Sequence, residues 1–140
     1  MYITNSPEVA SIADGAGVDR IFIDLEQYGK EKRQKNWDSV KSKHSISDIP
    51  KVKSAVKNAQ IFVRTDPIFD GFSDELEGVL ACEPDVVMLP YFKTVREVET
   101  FIKAVDGRAT TSLLLETRGA AEQIDDIISV GGIDEIHIGL

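Results

Sequence analysis

The stretch GAGVDRIFIDLE, Gly15 to Glu26, has a near-copy in VGGIDEIHIGL, Val130 to Leu140: small residues in a turn, an apolar residue, an aspartate, then an apolar run. EPDVVMLP, Glu83 to Pro90, is a looser third version. Small residues permit a sharp turn, and a continuous apolar, β-branched run reads as a strand covered on both faces. A turn leading from a helix into a buried strand, used repeatedly, is the unit of a parallel α/β sheet. Barrels and doubly wound sheets both employ it.

Outward from these copies the same alternation fills the chain. Strand-like runs are Tyr2-Ile3-Thr4, Val18 to Leu25, Ala59 to Arg64, Asp85 to Leu89, Thr111 to Leu115 and Asp134 to Leu140. Helix starts fall at Ser6-Pro7, at Ser47 to Pro50, at Ser73 and at Thr94, where Glu97 completes a capping box. Val95, Val98, Phe101, Ile102 and Val105 form an apolar stripe with Gly107 as a stop, and Ala120, Ile124, Ile127 and Ile128 repeat the pattern. A closed (β/α)8 barrel takes eight units and typically about 250 residues. Six strands in 140 residues therefore predict an α/β chain holding roughly the first six βα units of a TIM barrel, as a single partial domain over 1–140. An open, flavodoxin-like sheet is the rival.

Composition narrows the function classes. A net charge of −8 argues against general nucleic-acid binding, which needs cations arrayed on a face. No apolar run is long enough to span a bilayer, and the start MYITNSPEVA lacks a basic segment followed by an apolar one, so a cytoplasmic setting without membrane contact is expected. A single cysteine, Cys82, leaves no intramolecular disulfide and no Cys-rich metal cluster; it reads as a small buried filler at a helix end. From Lys30 to Lys43 six Lys or Arg face two acids, either a solvated loop or a positive field beside an anionic ligand. Trp37 in that run is open between covering a ligand and stacking at a subunit contact.

In parallel α/β folds sites collect at the carboxyl ends of the strands. Those ends carry Asp24, Glu26 and Gln27; Arg64 and Asp66; Pro90 and Tyr91; Glu116, Thr117 and Arg118; and Gly139. Carboxylates with one guanidinium suit a divalent cation with oxygen ligands and an arginine for a carboxylate or carbonyl oxygen. Structural roles compete: Asp24 as an acceptor for loop amides, Arg64 as a partner of Asp66 or Glu26, Glu116 as a helix-start acid. His44 reads as a solvated loop residue and His137 as a satisfied structural histidine. No phosphate-binding glycine motif follows a strand.

These residues resemble the HpcH/HpaI aldolase and citrate lyase β-subunit family of the phosphoenolpyruvate/pyruvate-binding superfamily. GAGVDRIFIDLEQ, FVRTDP, PDVVMLPYFKTVREVE and LLLETRGAAEQIDDIISVGGIDEIHIGL carry the likeness in the family's order. The resemblance implies a (β/α)8 barrel and a carbon–carbon lyase. It also implies a divalent metal, Mg²⁺ or alternatively Mn²⁺, that chelates a 2-oxo acid or its enolate. Residue by residue, Glu116 falls on the metal-binding glutamate and Arg64 on the substrate-binding and catalytic arginine. Asp24 and Glu26 fall on the acids of the second-strand motif. Gln27 stands where pyruvate aldolases have a proton-transfer histidine, and Leu114 where they have a glutamine; the second metal aspartate would follow Leu140. Pro90, Thr117 and Gly139 are implied to line the substrate. The expected partners are a small anionic 2-oxo acid or acyl thioester and further copies of the chain, and a catalytically silent barrel subunit is the rival function.

Overall fold

The computed structural model describes residues 1–27 and 43–139, so Trp37 and the basic run apart from Lys43 lie outside the described residues. Six strands, β1 (Tyr2–Ile3), β2 (Arg20–Asp24), β3 (Gln60–Arg64), β4 (Val86–Leu89), β5 (Thr110–Leu115) and β6 (Glu135–Ile138), alternate with helices. The described helices are α1 (Pro7–Gly15), α2 (Asp48–Ala55), α3 (Phe72–Leu80), α4 (Val95–Val105), α5 (Arg118–Glu122) and α6 (Ile124–Ile128). The strands form one parallel sheet in the order β1-β2-β3-β4-β5-β6. A doubly wound sheet reverses its strand order at a switch point. This sheet never does, and the flavodoxin-like alternative falls.

Side-chain alternation gives the two faces different partners. Ile21, Ile23, Ile61, Val63, Val87, Leu89 and Leu113 pack with Ala10, Val52, Leu76, Val98 and Phe101 of the helices in the main core. Fully burying such a side chain contributes about 2 kcal/mol. On the opposite face Phe22, Phe62, Val86 and Met88 form a smaller cluster, with the Phe22 and Phe62 rings edge to face at 5.1 Å. That inner face is the barrel interior.

One ion pair shows how far the sheet curls. The Arg20 guanidinium on β2 donates through both Nη atoms to the Glu135 carboxylate on β6, with Nη1–Oε2 at 2.8 Å. Four strand spacings in a flat sheet would separate these strands by about 19 Å, beyond the joint reach of the two side chains. The sheet is therefore wrapped, a partial (β/α)8 barrel, and the guanidinium lies 5.5 Å from the Phe62 ring centroid inside it.

The aspartate of the repeated motif acquires a physical reason here. Asp85 Oδ2 accepts the Ile61 amide at 2.7 Å, and Asp134 Oδ2 accepts the Thr111 amide at 2.8 Å. Each aspartate stands just before its strand and ties down the start of the preceding one. Asp14, at the end of α1, similarly accepts the amides of Lys57, Asn58 and Ala59 where the chain enters β3.

Local expectations mostly hold, with informative differences. Thr94 and Glu97 form the capping box of α4, and Cys82 sits half-buried just after α3. The third helix begins at Phe72 with Gly71 as its cap, before the expected Ser73. The stripe from Ala120 to Ile128 is two short helices joined at Gln123, whose side-chain amide donates to the carbonyls of Lys93 and Gly119.

Candidate active site at the carboxyl rim

Register places Asp24 directly beside Arg64 at the carboxyl ends of β2 and β3. Both share the parity of Phe22 and Phe62, so both belong to the inner face. Arg64 Nε and Nη2 donate to Asp24 Oδ1 and Oδ2, each at 2.9 Å, in a two-point pair. Nη2 also lies 3.3 Å from Glu26 Oε2, and the Glu26 amide donates to Asp24 Oδ1 at 3.2 Å. Burial works against the guanidinium charge, but the hydrogen bonds to Asp24 and the fields of Asp24, Glu26 and Glu116 outweigh it and raise its pKa above the ordinary arginine value. Arg64 is thus a permanent cation, mostly buried, with Nη1 unpaired among the described residues.

Glu116 follows β5 and is held by its neighbours on both sides. Its Oε1 accepts the Tyr91 amide at 3.0 Å. Tyr91 itself adopts φ 49°, a left-handed conformation uncommon for a residue with a side chain, which is how the chain turns after Pro90. Just past the end of β6, Gly139 closes in so tightly that a Cβ there would lie 2.9 Å from Glu116 Cβ. Tyr91, following the buried Pro90 after β4, and Gly139, following β6, therefore approach Glu116 from the two neighbouring strand ends. Thr117 is already committed to structure: its hydroxyl donates to the Phe92 carbonyl at 2.6 Å and accepts the Ala120 amide at 3.1 Å as the α5 cap. Arg118 pairs with Glu122 on the surface and takes no part in the Arg64 group.

Gln27 is occupied by hydrogen bonds: its amide donates to Asp66 Oδ1 at 2.6 Å and its Nε2 to the His44 carbonyl at 3.3 Å. Asp66 in turn donates its amide to Glu75 Oε1 at 3.0 Å. Burial pushes the Glu75 carboxyl up to about 7; the Asp66 amide opposes this and the Asp66 charge adds to it. His44 corrects the sequence reading. It was expected in solvent, yet it is buried, with Nδ1 accepting the Asp24 amide at 2.9 Å. Because β1 ends at Ile3, this amide takes its acceptor from the loop before α2. Nothing in the polar sequence KSKHS signalled that tertiary vacancy, and Glu75 was likewise hidden in an ordinary acidic first turn. His137 faces Phe62 at 5.6 Å between ring centroids and approaches Glu135 at 3.4 Å.

The donor set can be tested for a metal. Asp24, Glu26 and Glu116 all act on the Arg64 cation, and carboxylate oxygens of this kind are the donors a hard cation takes. Among the described residues no group of three His, Cys, Asp or Glu is arranged to hold an ion. Mg²⁺ commonly takes only one or two carboxylates and completes its shell with water and substrate oxygens. A single protein ligand at Glu116 fits that habit.

Known proteins supply the context. The solved structure of an HpcH/HpaI aldolase/citrate lyase family protein from Burkholderia cenocepacia J2315 superposes with a TM-score of 0.77 at 12% identity, covering 99% of this chain and 62% of that one. Citrate synthase SbnG gives 0.75 at 16% identity, over 99% and 59%. Phosphonopyruvate hydrolase in complex with oxalate and Mg²⁺ gives 0.63 at 13%, over 94% and 47%. The chain thus spans about three-fifths of the first two structures' length. No curated protein matches it in sequence. The sequence model of the HpcH/HpaI aldolase/citrate lyase family matches residues 1–140, end to end, and the chain belongs to that family.

Proposed function

We propose that this chain belongs to a metal-dependent carbon–carbon lyase acting on a 2-oxo acid or an acyl thioester. The observation that carries the reading is Arg64, a partly buried cation clamped by Asp24 and Glu26 within the field of Glu116 at the inner rim. Breaking or forming a bond beside a carbonyl builds negative charge on its oxygen. A fixed guanidinium that needs no reorganisation stabilises that charge more than the ground state. Arg64 would present Nη1 to the substrate carboxylate or carbonyl oxygen, while Asp24 and Glu26 hold the other edge of the fork. Glu116, steered by the Tyr91 amide, would hold a divalent cation, Mg²⁺ or Mn²⁺, which supplies Lewis-acid charge when bound. Asp24 and Glu26 would also orient water at the rim, and Glu26 would hold the water that serves as base where Gln27 cannot exchange a proton. Pro90 and Gly139 would shape the wall beside Glu116.

A silent, binding subunit is favoured by one observation: Gln27 is tied up through both its amide and its side chain. Calorimetry of the protein with Mg²⁺ and oxalate separates the readings, followed by turnover against pyruvate and oxaloacetate. The enzyme reading expects metal-dependent binding and turnover that Glu116→Ala abolishes. Unchanged turnover in that variant, or no metal-dependent binding in the parent, overturns it. Among the described residues no helix is long and apolar enough to cross a membrane. The single domain, cytoplasmic location and self-association remain proposals, the last tested by sedimentation.

A further inference from the structure

His44 is presented to the rim by a turn fixed from below. Asp48 Oδ2 accepts the Ser45 amide at 3.0 Å, the Ser45 hydroxyl at 3.0 Å and Asn5 Nδ2 at 3.1 Å. Burial would raise the Asp48 pKa, but the donors from Asn5, Lys51 and Ser45 outweigh it and hold it at about 2, so this clamp is ionised at neutral pH. Above it, the buried His44 ring meets the Asp24 amide through Nδ1, and the His44 carbonyl meets Gln27 Nε2. A backbone N–H only donates, so Nδ1 must offer a lone pair and the neutral ring carries its proton on Nε2.

We propose that His44 is a positioning residue: its Nδ1 lone pair fixes the backbone of Asp24, and through it the carboxylate that grips Arg64. The His44 carbonyl accepts from the Gln27 side chain, so one residue contacts two members of the second-strand motif. The link to catalysis rests on the reading of Arg64 as the substrate-binding cation. The geometric claim stands apart from it.

The test has a spectroscopic and a binding arm. In the protein labelled with ¹⁵N-histidine, NMR should show His44 as the Nε2–H tautomer; a proton on Nδ1 overturns the proposal. Calorimetry with Mg²⁺ and oxalate should then show affinity falling roughly 10–100-fold in His44→Ala, the usual scale for a group that orients a site residue. His44→Asn places an amide oxygen near the Nδ1 position and should restore most of the loss. An unaffected His44→Ala overturns the proposal. Equal loss in both variants also does, because the ring would then act through Nε2. If the parent binds no oxalate, the lyase reading fails by itself. The Arg64 Nε–H resonance then decides: protection from exchange in the parent and in His44→Asn, lost in His44→Ala, supports positioning, and protection in all three overturns it.

Discussion

Gly139, just after β6, leaves no room for a side chain against Glu116: a Cβ at position 139 would lie 2.9 Å from Glu116 Cβ. Both atoms belong to backbone-anchored positions, so no rotamer change relieves the contact. Gly139→Ala should push Glu116 away from the Tyr91 amide and weaken Mg²⁺-dependent oxalate binding while the fold persists. Calorimetry paired with circular dichroism checks this; retained affinity would show that Glu116 has slack.

Arg64→Lys keeps the charge but loses the fork that bonds Asp24 at two points. Turnover should drop on the order of 100-fold, as for loss of one preorganised donor. Arg64→Ala should in addition destabilise the fold by about 3 kcal/mol, since it removes the guanidinium that pairs with buried Asp24 and Glu26. Steady-state kinetics and urea unfolding separate the two effects.

Glu75 predicts a pH dependence whose sign follows from its raised pKa. Its folded value of about 7 exceeds the ordinary 4.5, so the fold prefers the protonated acid. That contribution is fully present below about pH 4.5 and is lost as pH rises through 7. Glu75→Gln mimics the protonated form and still accepts from Asp66. Its Tm should exceed the parent's above pH 7 and converge with it near pH 4; a constant offset would contradict the assignment.

The repeated aspartate should behave alike at two distant places. Asp85→Ala and Asp134→Ala each remove the acceptor of a strand-start amide. Each should cost about 1–3 kcal/mol in denaturant unfolding, the range for stranding a buried donor. The two losses should add, because no partner is shared.

The sequence by itself determined the alternation of elements, the parallel sheet and the residues at the strand ends. The reason is local: turn residues, apolar periodicity and the Thr94–Glu97 cap act within a few positions of one another. Family likeness then singled out Arg64 and Glu116 among the polar residues there. Tertiary structure alone decided the rest. Curling brings Arg20 to Glu135, register sets Asp24 beside Arg64, and the short β1 leaves the Asp24 amide to His44. Each depends on residues far apart in the chain meeting in space, which no local pattern encodes. The sequence KSKHS is polar and loop-like, yet the histidine is buried, because the acceptor was needed on a strand twenty residues earlier.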